Sequence, residues 1–338
     1  MLPQRIKEIR KEFKKINQWT HFIFLIELIG QEDKIEPITN LETTLIIMNR
    51  DKLFGFIGLG NMGQPMAQHV ARKGYHLLVH DIAGTSERAP ENSLIAASNA
   101  EVVERAQVVA LSLPTVEVNQ LVVQEIAELQ PDECVIVDTC TIGPTAAAEN
   151  AQVLDKAGLG YVDSPVSGLR FRALEGTLTS MVSGPLNQID QARPLVECYS
   201  ANVFVVGEEA GQGQQMKMIN NALCISSYVT TSEALAYGES GGLQLETMLA
   251  VINASSGQSF ATSQTFPKFV ASGKFNSGCE AHIIEKDLRL FVEDALRQGT
   301  DNTVIAKALE RVVNFVAEDR TQDQFRIYPF IKSSKPDS

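Results

Sequence analysis

The chain has 338 residues, 44% of them hydrophobic and 21% charged, with 29 Lys plus Arg against 41 Asp plus Glu and a formal net charge of −12. That composition excludes disordered, collagen-like and disulfide-scaffold proteins, and the negative balance argues against nucleic acid or a membrane as a partner. Five scattered cysteines (Cys134, Cys140, Cys198, Cys224, Cys279) form no Cys-x-x-Cys or Cys/His cluster, so no metal site is expected and a reducing, cytoplasmic setting fits best.

Residues 1–50 read as an N-terminal extension without catalytic importance. Its basic opening (Arg5, Lys7, Arg10, Lys11) and the apolar run Phe22–Ile29 imitate a targeting signal, but Glu27 interrupts the run and no small-residue cleavage site follows. Met48 stands just before the first strong strand, which makes it an expected alternative start. From Leu53, short apolar runs alternate with helical spacing: Leu53–Gly58, His76–Asp81, Val108–Leu113, Cys134–Thr139, Tyr161–Val166, Leu178–Ser183 and Val203–Gly207. Runs this short and rich in Val, Ile and Leu predict buried strands of a mainly parallel sheet with helices on both faces. After Gly213 the strand-like runs stop, and helices are expected over Met216–Gly238, Leu245–Ile252, Ala261–Val270, Ile283–Gln298 and Val304–Ala317. The partition that follows is a dinucleotide-type α/β parallel-sheet domain over 51–210 and an all-α domain over 211–330. A frayed tail is expected at 331–338.

Gly58-Leu59-Gly60-Asn61-Met62-Gly63 matches G-x-G-x-x-G, directly after a predicted strand and opening a helical pattern. Gly58 permits a tight turn, Gly60 lets backbone approach a pyrophosphate, and Gly63 allows close helix packing against the strand. A second predicted strand ends in Asp81, which can accept hydrogen bonds from ribose hydroxyls and would oppose an additional phosphate. NAD is therefore expected over NADP, with Arg88 leaving NADP open. Leu113 and Pro114, at the exit of the third strand, are expected to pass beside the cofactor or to form a plain loop exit.

Further along lie Asp163-Ser-Pro-Val-Ser167-Gly168 and Gly211-Gln-Gly213-Gln-Gln-Met-Lys217-Met-Ile-Asn-Asn221. Small residues after a strand leave backbone N–H groups and a hydroxyl free for an anion. Lys217 and Asn221, four apart, project from one helix face, and Cys224 and Tyr228 continue the stripe. Ile283, Asp287 and Phe291 share another face, where a carboxylate needs a partner.

With Gly55–Ala67, Gly176-Thr-Leu178 and Lys286-Asp287, these motifs resemble those of the β-hydroxyacid dehydrogenase family over roughly Leu53 to Val316. The resemblance implies an α/β Rossmann-type parallel-sheet domain followed by an all-α domain joined by a long helix. It implies hydride transfer between NAD(P) and a small carboxylate-bearing 3-hydroxy acid or its semialdehyde, in the cleft between the two domains of a homodimer or homotetramer. It makes Lys217 the general acid/base and Asn221 a substrate-positioning residue. It places Ser167, Gly168, Leu169, Thr141 and Asp287 at the substrate, with Thr141 and Lys286 also at the cofactor. Three residues depart from the family: Leu169 replaces a glycine, Cys140 a serine and Cys279 an aromatic. All three are expected to border the substrate pocket, and Arg170 or Arg172 to pair with a second acidic group or simply lie exposed. A non-catalytic NAD-binding protein and an imine-reducing relative are the alternatives. The retained Lys217–Asn221 pair speaks against both.

Overall fold

A computed structural model describes residues 52–131 and 133–334. The expected extension 1–50, the alternative start at Met48 and residues 335–338 lie outside the described residues. Among the described residues, one sheet contains β1 (Leu53–Ile57), β2 (His76–His80), β3 (Leu94–Ile95), β4 (Val108–Leu111), β5 (Val135–Asp138), β6 (Gly160–Asp163), β7 (Val166–Ser167), β8 (Leu178–Ser183) and β9 (Ser200–Gly207). The first six strands are parallel in the order β3-β2-β1-β4-β5-β6, the arrangement of a dinucleotide-binding sheet. β8 then runs antiparallel to β6 and β7 and parallel to β9.

Side chains alternate across each strand, which gives the sheet two cores. Phe54 and Phe56 of β1 pack with Met66 and Val70 of α1 (Gly63–Arg72). Ile57, Val109 and Leu111 pack on the other face with α2 (Asn99–Arg105), α3 (Val116–Leu129) and α4 (Pro144–Lys156) through Val102, Ile126 and Leu154. Each such side chain, fully buried, contributes roughly 1.5–3 kcal/mol to holding the helix on the sheet. A short α5 (Leu169–Glu175) follows β7, and α6 (Leu186–Tyr199) precedes β9.

The long helix α7 (Gln212–Ser240) packs on β8 and β9 with its first half. It also packs with α9 (Ala281–Arg297), α10 (Thr303–Glu318) and α11 (Ile327–Ser333), which follow the shorter α8 (Leu245–Asn253). Tyr228, Phe266, Leu288, Phe315 and Phe325 form the centre of this helical core, where the Phe269 and Phe325 rings stack at 5.0 Å. Among the described residues no helix is long and apolar enough to cross a membrane.

The structure departs from the sequence expectations at several places. The run Tyr161–Val166 is two strands, because Pro165 has no N–H to continue the ladder while its carbonyl accepts from Met181. Ala261–Ala271 winds as a π-helix rather than an α-helix. β3, two exposed residues long, was not expected. The segment after Ile331 does not fray at once: Ile331 is buried, the helix runs to Ser333, and Lys332 pairs with Glu239 at 2.6 Å.

Candidate active site

Two positions of the turn after β1, Gly58 and Gly63, admit nothing larger than glycine. At Gly58 (φ +91°) a Cβ would overlap the Ser112 carbonyl, and at Gly63 it would overlap the Gly58 carbonyl, so β1, α1 and the β4 exit touch through backbone. At Gly60 a Cβ would meet nothing, so the space that glycine leaves there opens away from the chain. α1 begins after Met62 without a side-chain cap, so no side chain at its N-terminus takes up the N–H groups of its first turn. Asp81, at the end of β2, accepts from Leu59 N at 2.6 Å and Ala83 N at 2.7 Å, and pairs with Arg88 at 3.2 Å. An open, donor-lined turn beside a carboxylate fits a dinucleotide's pyrophosphate and ribose.

A second construction fixes α7 to the sheet. Asp163, fully buried at the end of β6, accepts from Gln214 N at 2.8 Å, Gln214 Nε2 at 2.7 Å and Ser183 Oγ at 3.2 Å. It thus supplies the negative cap at the start of α7 that no residue of the helix provides. Burial pushes its carboxyl up to about 7 against those donors. Gln214 also donates to Cys140 O at 2.9 Å and accepts from Ile142 N and Gly143 N.

One turn further along α7 comes Lys217, with only 8% of its surface exposed. Among the described residues its Nζ makes no hydrogen bond or ion pair. Burial draws its pKa below 10.5, opposed by the nearby Asp287 carboxylate, which raises it. Around this amine runs a chain of polar contacts. Asn220 Nδ2 donates to Ser167 Oγ at 3.3 Å and to Asn221 Oδ1 at 3.1 Å. Asn221 Nδ2 donates to Asp287 Oδ2 at 2.7 Å. Lys286 Nζ lies 2.8 Å from Asp287 Oδ1 as an ion pair, off the line of a hydrogen bond, and donates to Thr141 O at 2.7 Å. A desolvated amine without an acceptor, bordered by a carboxylate, amides and a hydroxyl, can exchange a proton with a bound molecule.

Residues named from sequence therefore meet from two directions. Ser167 and Thr141 come from the sheet, Lys217 and Asn221 from α7, and Lys286 and Asp287 from α9. Gly168 (φ +146°) and Leu169 (φ +58°) form the turn after Ser167, and Leu169 packs against the helical core. Leu113 borders Gly58, its Cδ2 3.5 Å from where a Cβ would stand, whereas Pro114 is exposed and no bond ties it to the site. One of the departures, Cys279, lies within electrostatic reach of Lys217 and Asp287. The Cys224 thiol, on the Lys217 stripe, donates to Tyr228 Oη at 3.1 Å. Cys140 does not border the pocket: it is buried, accepts from Leu113 N at 3.1 Å, and takes its own backbone bond to Asp138. A thiol there serves the strand exits. Sequence reasoning missed Asn220, Gln214 and Asp163, all inside the quoted motifs. The bonds that join them to the site, Asn220 to Ser167 and Gln214 to Asp163, span 53 and 51 residues, which spacing on one helix does not reveal.

Residues 53–207 match a family model described as the NAD binding domain of 6-phosphogluconate dehydrogenase. Residues 211–330 match one described as the NAD-binding part of NADP-dependent 3-hydroxyisobutyrate dehydrogenase. A 2-(hydroxymethyl)glutarate dehydrogenase of Eubacterium barkeri is 31% identical over 251 residues, 73% of this chain and 83% of that protein. An NAD-dependent L-serine dehydrogenase of Pseudomonas aeruginosa is 33% identical over 274 residues, 76% of this chain and 90% of that one. Among solved structures, a 3-hydroxyisobutyrate dehydrogenase of Mycobacterium tuberculosis with L-serine superposes at a TM-score of 0.77 with 26% identity, covering 83% of this chain and 99% of that chain.

Proposed function

The chain belongs to the β-hydroxyacid dehydrogenase family and is an NAD(P)-dependent oxidoreductase of small hydroxy acids, and from that premise we propose how its residues divide the work on a 3-hydroxy acid or its semialdehyde. NAD, when bound, supplies the carbon that accepts or returns the hydride. Gly58, Leu59, Gly60, Asn61, Met62 and Gly63 hold its pyrophosphate, Asp81 receives the adenosine ribose hydroxyls, and Leu113, Thr141 and Lys286 border its other end. A phosphate on that ribose would come against the nearly buried Asp81 carboxylate, which Arg88 offsets only in part, so NAD is preferred over NADP.

In the oxidative direction, neutral Lys217 takes the hydroxyl proton as the C–H electron pair departs and the carbonyl forms. In the reductive direction its ammonium returns that proton to the oxygen. Ser167 Oγ and the Gly168 backbone hold the substrate carboxylate, which fixes the carbon presented for reaction. Asn221 and Asp287 orient the substrate and set the basicity of the amine. The observation that carries this reading is the buried Lys217 amine with no acceptor of its own inside a ring of polar side chains. The five thiols are all free, which suits a reducing cytoplasm.

Lys217→Met removes the proton acceptor and keeps the volume of the stem. It is expected to lower turnover by about 10²–10⁴-fold while NADH binding, read by its fluorescence, is retained. The test set is 3-hydroxyisobutyrate, L-serine and 2-(hydroxymethyl)glutarate, each with NAD and NADP. Near-normal turnover in the variant would remove Lys217 from the reaction.

A further inference from the structure

The turn that carries Ser167 and Gly168 continues into Leu169-Arg170-Phe171-Arg172, and all four side chains reach the helical layer. Leu169 and Phe171 pack against its core, and Lys268 Nζ stands 3.7 Å from the centre of the Phe171 ring. The Arg172 guanidinium lies 5.7 Å over the Phe260 ring, so that cation has a partner. Arg170 is held differently. Its stem lies along Gly278, where a Cβ would meet the arginine Cδ at 3.3 Å. The next residue, Cys279, senses the charges of Lys217, Lys286 and Asp287. Arg170 is thereby placed three residues from Ser167 and against the segment that leads through Cys279 into α9, the helix of Lys286 and Asp287.

Arg170 is half-buried, and among the described residues it makes no ion pair, hydrogen bond or ring contact. This occurs in a chain with 41 acidic against 29 basic residues, where carboxylate partners are abundant. A guanidinium carries five donors in a planar fork suited to a carboxylate, and that of Arg170 is free to take one. The carboxylate beside Lys217, Asp287, is already taken by Asn221 and Lys286. The site therefore offers cationic groups in excess.

Resting on the hydroxy-acid reading above, we propose that Arg170 binds a second acidic group of the substrate, so that the enzyme selects dianionic 3-hydroxy acids. One carboxylate lies at Ser167–Gly168 and the other on Arg170. The same excess of positive charge disfavours a substrate with an ammonium beside its reacting arm, as in L-serine.

The test compares 2-(hydroxymethyl)glutarate with its 5-amide, which keeps the shape and loses the distal charge. kcat/KM is measured with NAD, and dissociation constants are measured by calorimetry with NADH present, where no turnover occurs. The native chain is expected to favour the diacid by about 10–100-fold in both readouts, the scale of one charge-assisted pair. Arg170→Met is expected to collapse that ratio to about 3-fold or less, Arg170→Lys to keep an intermediate ratio, and Arg172→Met to leave it as in the native chain. Equal use of diacid and amide by the native chain, or an unaltered ratio in Arg170→Met, overturns the inference and leaves the dehydrogenase reading standing. Absence of NADH from both acids and from 3-hydroxyisobutyrate overturns the two together.

Discussion

Lys217 draws its chemistry from two opposed influences, desolvation lowering its pKa and Asp287 raising it. Because the lowered value still requires the neutral amine for oxidation, kcat/KM for the alcohol is expected to rise with pH through a midpoint below 10.5 and then level. Reduction of the aldehyde uses the ammonium and is expected to fall through the same midpoint. Asp287→Asn removes the carboxylate that favours the charged amine, so both midpoints should move to lower pH. Paired pH profiles in the two directions check this, and midpoints unmoved by Asp287→Asn would mean that another group sets them. Lys217, Asn221 and Asp287 were singled out by the order of the motifs they share with the family, since helical spacing alone makes a lone lysine a surface charge. Asn220 was not, since its partner Ser167 arrives from another element 53 residues earlier.

Among the elements, α7 depends most on a single side chain. Gln214 satisfies Asp163 Oδ1, Cys140 O, Ile142 N and Gly143 N, all buried. Gln214→Ala leaves these groups without that partner, and a loss of about 3 kcal/mol in unfolding free energy is expected, read by urea denaturation. A loss within 0.5 kcal/mol, the range usual for surface changes, would show that water replaces the amide. Most strands were readable because a buried parallel strand is a continuous apolar run. The boundaries that failed have physical causes: Pro165 divides β6 from β7, and Leu94–Ile95 is too short and exposed to carry a pattern. α5 was hidden because Leu169 starts it in the left-handed region, which glycine normally occupies.

At the scale of the molecule, the sequence implied a parallel sheet and a helical layer, but not that β8 would reverse direction or that β9 would close the edge. It also said nothing of the outer surface of α7. Met216, Ile219 and Leu223 are exposed at helical spacing, and Phe204, Val205 and Val206 are exposed on the adjoining β9. A homodimer or homotetramer that covers these faces is proposed. Leu223→Glu combined with Phe204→Glu is expected to yield a smaller species in light scattering, whereas an unaltered mass would place the interface elsewhere. The cap that Asp163 gives α7 has a mechanical meaning as well. From Gln214 to Ser240 the helix extends roughly 39 Å, and Lys217 stands about 4.5 Å along the axis from the anchored turn. The Asp163 bonds therefore set where along the sheet the amine is presented, and a slip of that one turn would carry the base out of register with everything it serves.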